Sequence, residues 1–91
     1  MITTGSQIRA GRALLRMSRP AFAAAAKLHP CTVQYWERCE RIPHGRFREP
    51  YAIERMRELF DREGVVTFDT PIPGVGLDPV VRQAAREREA A

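Results

Sequence analysis

Apolar positions recur every third or fourth residue in four successive stretches of the chain, and then the period changes. In the first stretch Ile8, Gly11, Leu14 and Leu15 share one side, with Ala10 and Ala13 beside them and Arg9, Arg12 and Arg16 opposite. That pattern predicts an amphipathic helix running to about Met17. Thr4-Gly5-Ser6-Gln7 precedes it with capping-box spacing, Thr4 as the cap and Gln7 reaching back. Glycine inside a helix is worse than alanine by about 1 kcal/mol, so Gly11 points to a close helix–helix contact.

Ser18 is a good cap for a second helix, and Pro20 suits a first turn, where a missing N–H does no harm. Phe22, Ala25 and Ala26 are its inward positions, and the four-alanine run suits a helix lying very near its neighbour. Lys27-Leu28-His29 reads as a turn with Leu28 plugging the corner. Pro30 opens a third helix whose apolar stripe is Val33 and Trp36, leaving Cys31, Gln34, Tyr35 and Arg38 outward. Arg41-Ile42-Pro43-His44-Gly45 closes this region. Glu49-Pro50 begins a fourth helix to about Arg62, with Ile53, Met56, Leu59 and Phe60 inward and Gly64 placed to end it. Val65–Phe68 is then β-prone, residues 69–73 read as loop, and Gly74–Leu77 returns as a second short strand. Asp78-Pro79 signals a last helix with a weak apolar face of Val80, Val81, Ala84 and Ala85, frayed from Arg86 onward.

A chain of 91 residues with these elements is one small domain whose core is just large enough to fold without staples. The longest weakly polar run, Ala21 to Ala26, is far too short to span a bilayer, and no secretory signal is visible, so a cytoplasmic protein is expected. Cys31 and Cys39 stand eight positions apart, roughly 12 Å of helical rise, too far to bridge within one helix; both read as reduced thiols.

Charge sharpens the picture. Residues 1–48 carry nine Lys/Arg against Glu37 and Glu40, a net of +7, whereas residues 49–91 carry six basic and nine acidic groups, a net of −3. The positive half coincides with the paired short helices, where cations would neutralise phosphates and release counterions. A solvated basic surface is the alternative.

In this order and spacing, residues 6–64 resemble the lambda-repressor-like helix-turn-helix family, the Cro/repressor or xenobiotic-response-element type. Gln7-Ile8-Arg9-Ala10 through Ala13-Leu14-Leu15 is similar to that family's first helix. Leu28 to Pro43, with Thr32-Val33 and Trp36-Glu37-Arg38, is similar to its recognition helix and exit. The closing Gly64–Phe68 and Gly74–Leu77 segments are similar to those of short bacterial regulators ending in a small β unit. Four positions depart from the pattern: Arg19 where glutamine is usual, Lys27 and Cys39 where glycine is usual, and His29 where the cap is commonly Ser or Thr. The resemblance implies a mainly α fold of four to five helices, with a helix-turn-helix DNA-binding domain over residues 1–64 and, over 65–91, a short β segment and terminal helix expected to form a dimerisation element.

It also implies a DNA-reading surface. Pro30, Cys31, Gln34 and Tyr35 match the base-contacting positions. Gln34 can bond an adenine edge, Tyr35 can pack on a thymine methyl, and Cys31 and Pro30 offer little beyond apolar contact. The bland reading is that Gln34 and Tyr35 are merely exposed. Arg19 and His29 at the helix starts, with Arg38, Arg41, His44 and Arg46 after the third helix, are candidate backbone contacts. Thr32 either bonds a phosphate or its own helix backbone. Trp36 belongs with Val33 in the core, and Glu37 is expected to pair with an arginine of the first or second helix. A zinc site from His29, Cys31, Cys39 and His44 has poorly converging spacing, and a Cys–His nucleophile lacks an orienting partner.

The expectation is a non-enzymatic, cofactor-free regulator of transcription. It would bind double-stranded DNA in the major groove as a homodimer on a near-palindromic operator, most simply as a repressor. Contact with RNA polymerase is a variant of that expectation. Two alternatives stay open: an antitoxin-type module that neutralises a partner protein, and a helix pair kept only for protein contacts.

Overall fold

The computed structural model describes residues 1–43 and 50–90. Within them the protein is mainly helical. It has five helices, α1 (Gly5–Leu14), α2 (Arg19–Ala25), α3 (Pro30–Glu37), α4 (Tyr51–Glu63) and α5 (Pro79–Ala90), and two strands, β1 (Val65–Phe68) and β2 (Gly74–Leu77). None of these helices is long and apolar enough to cross a membrane.

The predicted start signals act as drawn. Thr4 Oγ1 accepts from Gln7 N–H at 3.3 Å while Gln7 Oε1 accepts from Thr4 N–H at 3.1 Å, closing the capping box. Ser18 Oγ accepts from Ala21 N–H at 3.2 Å at the head of α2. Gly64, at φ 86°, ends α4. The expected α1 extends too far: it stops at Leu14 because Arg16 turns left-handed at φ 57°, and Lys27 does the same after α2 at φ 58°. That backbone costs an L-residue roughly 1–2 kcal/mol. With α1 shortened, Leu15 is buried, while Leu14, read as inward, is 39% exposed.

One core joins every element except α5. It gathers Ile8 and Leu15 of α1, Phe22 and Ala26 of α2, Val33 of α3, Ile53, Met56, Leu59 and Phe60 of α4, and Val65 of β1. Ile2, Ala23 and Ile42 join it as well, outside the expected set. Phe60 tilts against Phe22 at 5.6 Å between ring centres, and its ring lies over Gly11, where an added Cβ would come within 2.5 Å of it. The close contact expected at Gly11 is therefore between α1 and α4.

The strands pair antiparallel in the register Val65↔Leu77, Val66↔Gly76, Thr67↔Val75 and Phe68↔Gly74. Alternation puts Val65 in the core and Val66 and Phe68 outside, facing two glycines on β2. The hairpin is fastened to α1 by the buried Gln7 side chain. Its Nε2 donates to Phe68 O at 2.8 Å and Gly74 O at 3.3 Å, and its Oε1 accepts from Thr3 N–H at 2.7 Å. α5 packs on the end of α4, where Arg82 pairs with Glu63 at 3.0 Å and Arg88 donates to Arg62 O at 3.2 Å. Those bonds set its rotation. Ala85 goes in and Val81 half in, while Val80, at 78% exposure, and Ala84 face out, against the expected face. The helix also continues to Ala90 rather than fraying from Arg86.

Candidate nucleic-acid interface

The third helix owes its position to backbone contacts at its end. Gly5, at the first turn of α1, sits under the last turn of α3, and its N–H donates to Cys39 O at 2.8 Å. A Cβ on Gly5 would lie 2.3 Å from Trp36 O, 2.5 Å from Glu37 O and 2.6 Å from Cys39 O. The carbonyl end of α3 thus meets the N–H end of α1, an arrangement that satisfies exposed backbone groups of both and aligns their dipoles. A further bond, Ile42 N–H to Thr3 O at 2.9 Å, ties down the chain that follows. Cys39 consequently has no positive φ despite standing where the resembling family has glycine; its Sγ donates back to Tyr35 O at 3.5 Å.

Glu37 supplies the second prop. Only 4% exposed, its carboxylate accepts from Arg12 Nε at 2.8 Å and Nη2 at 3.3 Å, and from Arg19 Nη2 at 3.5 Å. The ion pair expected with an arginine of α1 or α2 is made with both. Arg12 also donates to Met17 O at 3.1 Å, so a single guanidinium braces α3 and the α1–α2 turn. Bidentate geometry of this kind is rigid as well as attractive.

Propped this way, α3 has two distinct sides. Val33 is fully buried, and Trp36 is half-buried against the core with Tyr35 edge-on to it at 5.1 Å. The other side presents Cys31, Gln34, Tyr35, Arg38 and Cys39, which line one shallow depression of about 340 Å³. Tyr35 is 63% exposed. Spacings of three and four residues explain the grouping, since they lie one above another on a helix.

The remaining anticipated residues surround this face. His29 caps α3, its Nδ1 accepting from Cys31 N–H at 3.1 Å. Pro30 occupies the first turn and is half-buried. Of the two readings of Thr32, a bond to its own helix backbone is not made among the described residues. Arg38 is the C-cap of α3 and Arg41 lies in the bend after it, both exposed. Arg19 is 40% exposed, its charge shared with Glu37. His44 and Arg46 lie outside the described residues.

Two positioning residues escaped the sequence reading. Gly5 carried no signal beyond its place in the capping box, because the carbonyls it accommodates come from more than thirty residues away. Gln7 was legible as a capping residue, but its bonds to the hairpin were not. No family model, curated protein or solved structure matches the chain. The functional reading therefore rests on this geometry and on the sequence pattern.

Proposed function

We propose that the protein is a sequence-specific DNA-binding regulator of the helix-turn-helix class, lambda-repressor-like in type, with α2 crossing the phosphate backbone and α3 in the major groove. The observation that carries this reading is the separation of α3 into a propped, buried side and an open side that bears exposed Cys31, Tyr35 and Arg38 with half-buried Gln34 between them. Gln34 reads an adenine edge and Tyr35 contacts a thymine methyl or acceptor. Arg19, His29, Thr32, Arg38 and Arg41, together with His44 and Arg46, hold the phosphates. With a single arginine on the reading side, backbone contacts supply most of the affinity and the salt dependence is steep.

The hairpin supports a homodimer. Of the large apolar residues exposed among the described positions, Val66, Phe68, Ile72, Leu77 and Val80 crowd into the short stretch 65–80. A two-stranded sheet gains from pairing across a two-fold axis, and two such copies would set their α3 helices on successive half-sites of a near-palindrome. Occupying a promoter in the cytoplasm would repress it; contact with polymerase would activate instead.

Selection of bound oligonucleotides from a random pool, at two salt concentrations, tests the proposal. Recovery of a short palindrome supports it, and failure to retain any duplex at low ionic strength overturns it. The second reading, a partner-neutralising antitoxin-type protein, draws on the same exposed apolar stretch and on the −3 charge of residues 49–91. It gains if a basic partner co-purifies and the hairpin substitutions described below release it.

A further inference from the structure

Two helices end in the same motif with the same unexpected residue type. After α1, Arg16 N–H bonds Ala13 O at 3.0 Å and Met17 N–H bonds Arg12 O at 3.2 Å. After α2, Lys27 N–H bonds Ala24 O at 3.1 Å and Leu28 N–H bonds Ala23 O at 2.8 Å. These are paired 5→2 and 6→1 bonds of the Schellman kind, whose left-handed position is normally glycine. Here it is a cation both times, Arg16 at φ 57° and Lys27 at φ 58°, the only non-glycine residues with positive φ among the described residues.

Side-chain contacts within the fold do not account for the choice. Both side chains are exposed, and neither makes a hydrogen bond or ion pair among the described residues. A cation near a helix C-terminus gains some dipole energy, yet glycine takes up this backbone without strain. The two residues bracket α2, a helix about 10 Å long. α2 is the element that crosses the phosphate backbone if α3 occupies the groove, which brings both of its ends near phosphates.

We propose that Arg16 and Lys27 are phosphate-contacting residues that hold the DNA backbone at the two ends of α2, their charge retained at positions where glycine would fold better. This rests on the DNA-binding reading above and extends its contact set to the turns on either side of α2. Each cation adds a sequence-independent contact, so both belong to the affinity and the salt dependence rather than to base choice.

Arg16→Gly, Lys27→Gly and the double variant of the full chain test this, with a random-sequence duplex as probe titrated across salt. The expected result is a melting midpoint equal to or above the parent's and affinity several-fold lower for each substitution. The slope of log K against log salt should shrink by about 0.9 per cation removed. Arg16→Lys and Lys27→Arg should keep the parent's slope. Glycine variants that bind with the parent's affinity and slope overturn the proposal while leaving DNA binding intact. A lowered melting midpoint with an unchanged slope also overturns it, by assigning the cations to helix capping. A parent that binds no duplex defeats the underlying DNA-binding reading instead, and the two failures are thereby told apart.

Discussion

The N-terminal helices and the C-terminal hairpin are both fastened to α1, but by different bonds and with different faces left outside. α3 is held by Gly5, through backbone contact, and by Glu37, through two arginines, and the half of the chain that carries it shows charge: Arg9, Arg16, Lys27, Arg38 and Arg41 are all exposed. The hairpin is held by Val65 in the core, by the buried Gln7 amide and by the 2.7 Å bond from Thr3 Oγ1 to Asp69 Oδ1, and it shows hydrocarbon, with Val66 and Phe68 opposite Gly76 and Gly74. A basic surface suits a polyanion, whose counterions it displaces. An apolar one suits protein, which removes it from water. One small fold thus keeps its two exposed surfaces chemically separate because each is anchored on its own side of a shared helix.

The most damaging change to the first anchor is Gly5→Ala. Its Cβ meets three backbone oxygens that cannot rotate away, so stability should fall by about 3 kcal/mol, read as a lower urea midpoint. Full stability in that variant would show that α3 does not depend on this contact. For the second anchor, Gln7→Ala strands buried carbonyl and N–H groups of the hairpin and of the N-terminal segment. A loss of about 2 kcal/mol is expected, with hydrogen exchange speeding up at β1 and β2 before α3. Uniform acceleration would mean the two regions unfold as one.

Glu37→Ala leaves Arg12 and Arg19 without their carboxylate. Because both arginines reach solvent, the expected loss is smaller, about 1–2 kcal/mol. A stabilised variant would refute the bracing role. On the hairpin, Val66→Lys should alter stability by under about 0.5 kcal/mol but convert the protein to a monomer in sedimentation equilibrium. A parent that is already monomeric at micromolar concentration would remove the dimer from the proposal. The mildest expected change is Gln34→Ala, which should leave stability and binding to random DNA within error. It should narrow the preference for one base pair by about 1 kcal/mol.

Much of this architecture was legible because it depends on neighbours in sequence. Thr4 and Gln7, Ser18 and Ala21, and Gly64 are linked over three or four residues, within reach of capping rules. The two strands were placed to the residue by the change of period after Gly64. The shortened α1 was not foreseen, since an arginine in a left-handed turn has no local signature. The wrong face for α5 has a similar cause. Its rotation is set by Arg82 and Arg88 meeting α4, whereas the expectation counted only apolar residues. The outward residues of α3 followed from spacing alone, but the props that hold them outward did not.

What the amino-acid order determined without help was the set of elements, the caps at Thr4, Ser18 and Gly64, the inward residues of α4 and the crowding of cations into the first half. Those features arise from bonds and periodicities within a few residues. Only the tertiary structure decided that Gly5 receives the carbonyl end of α3, that Gln7 joins the capping box to the hairpin, and that Glu37 gathers Arg12 and Arg19. Each of those contacts links groups far apart in the chain. Their distances and directions exist only after the core around Phe22 and Phe60 has closed.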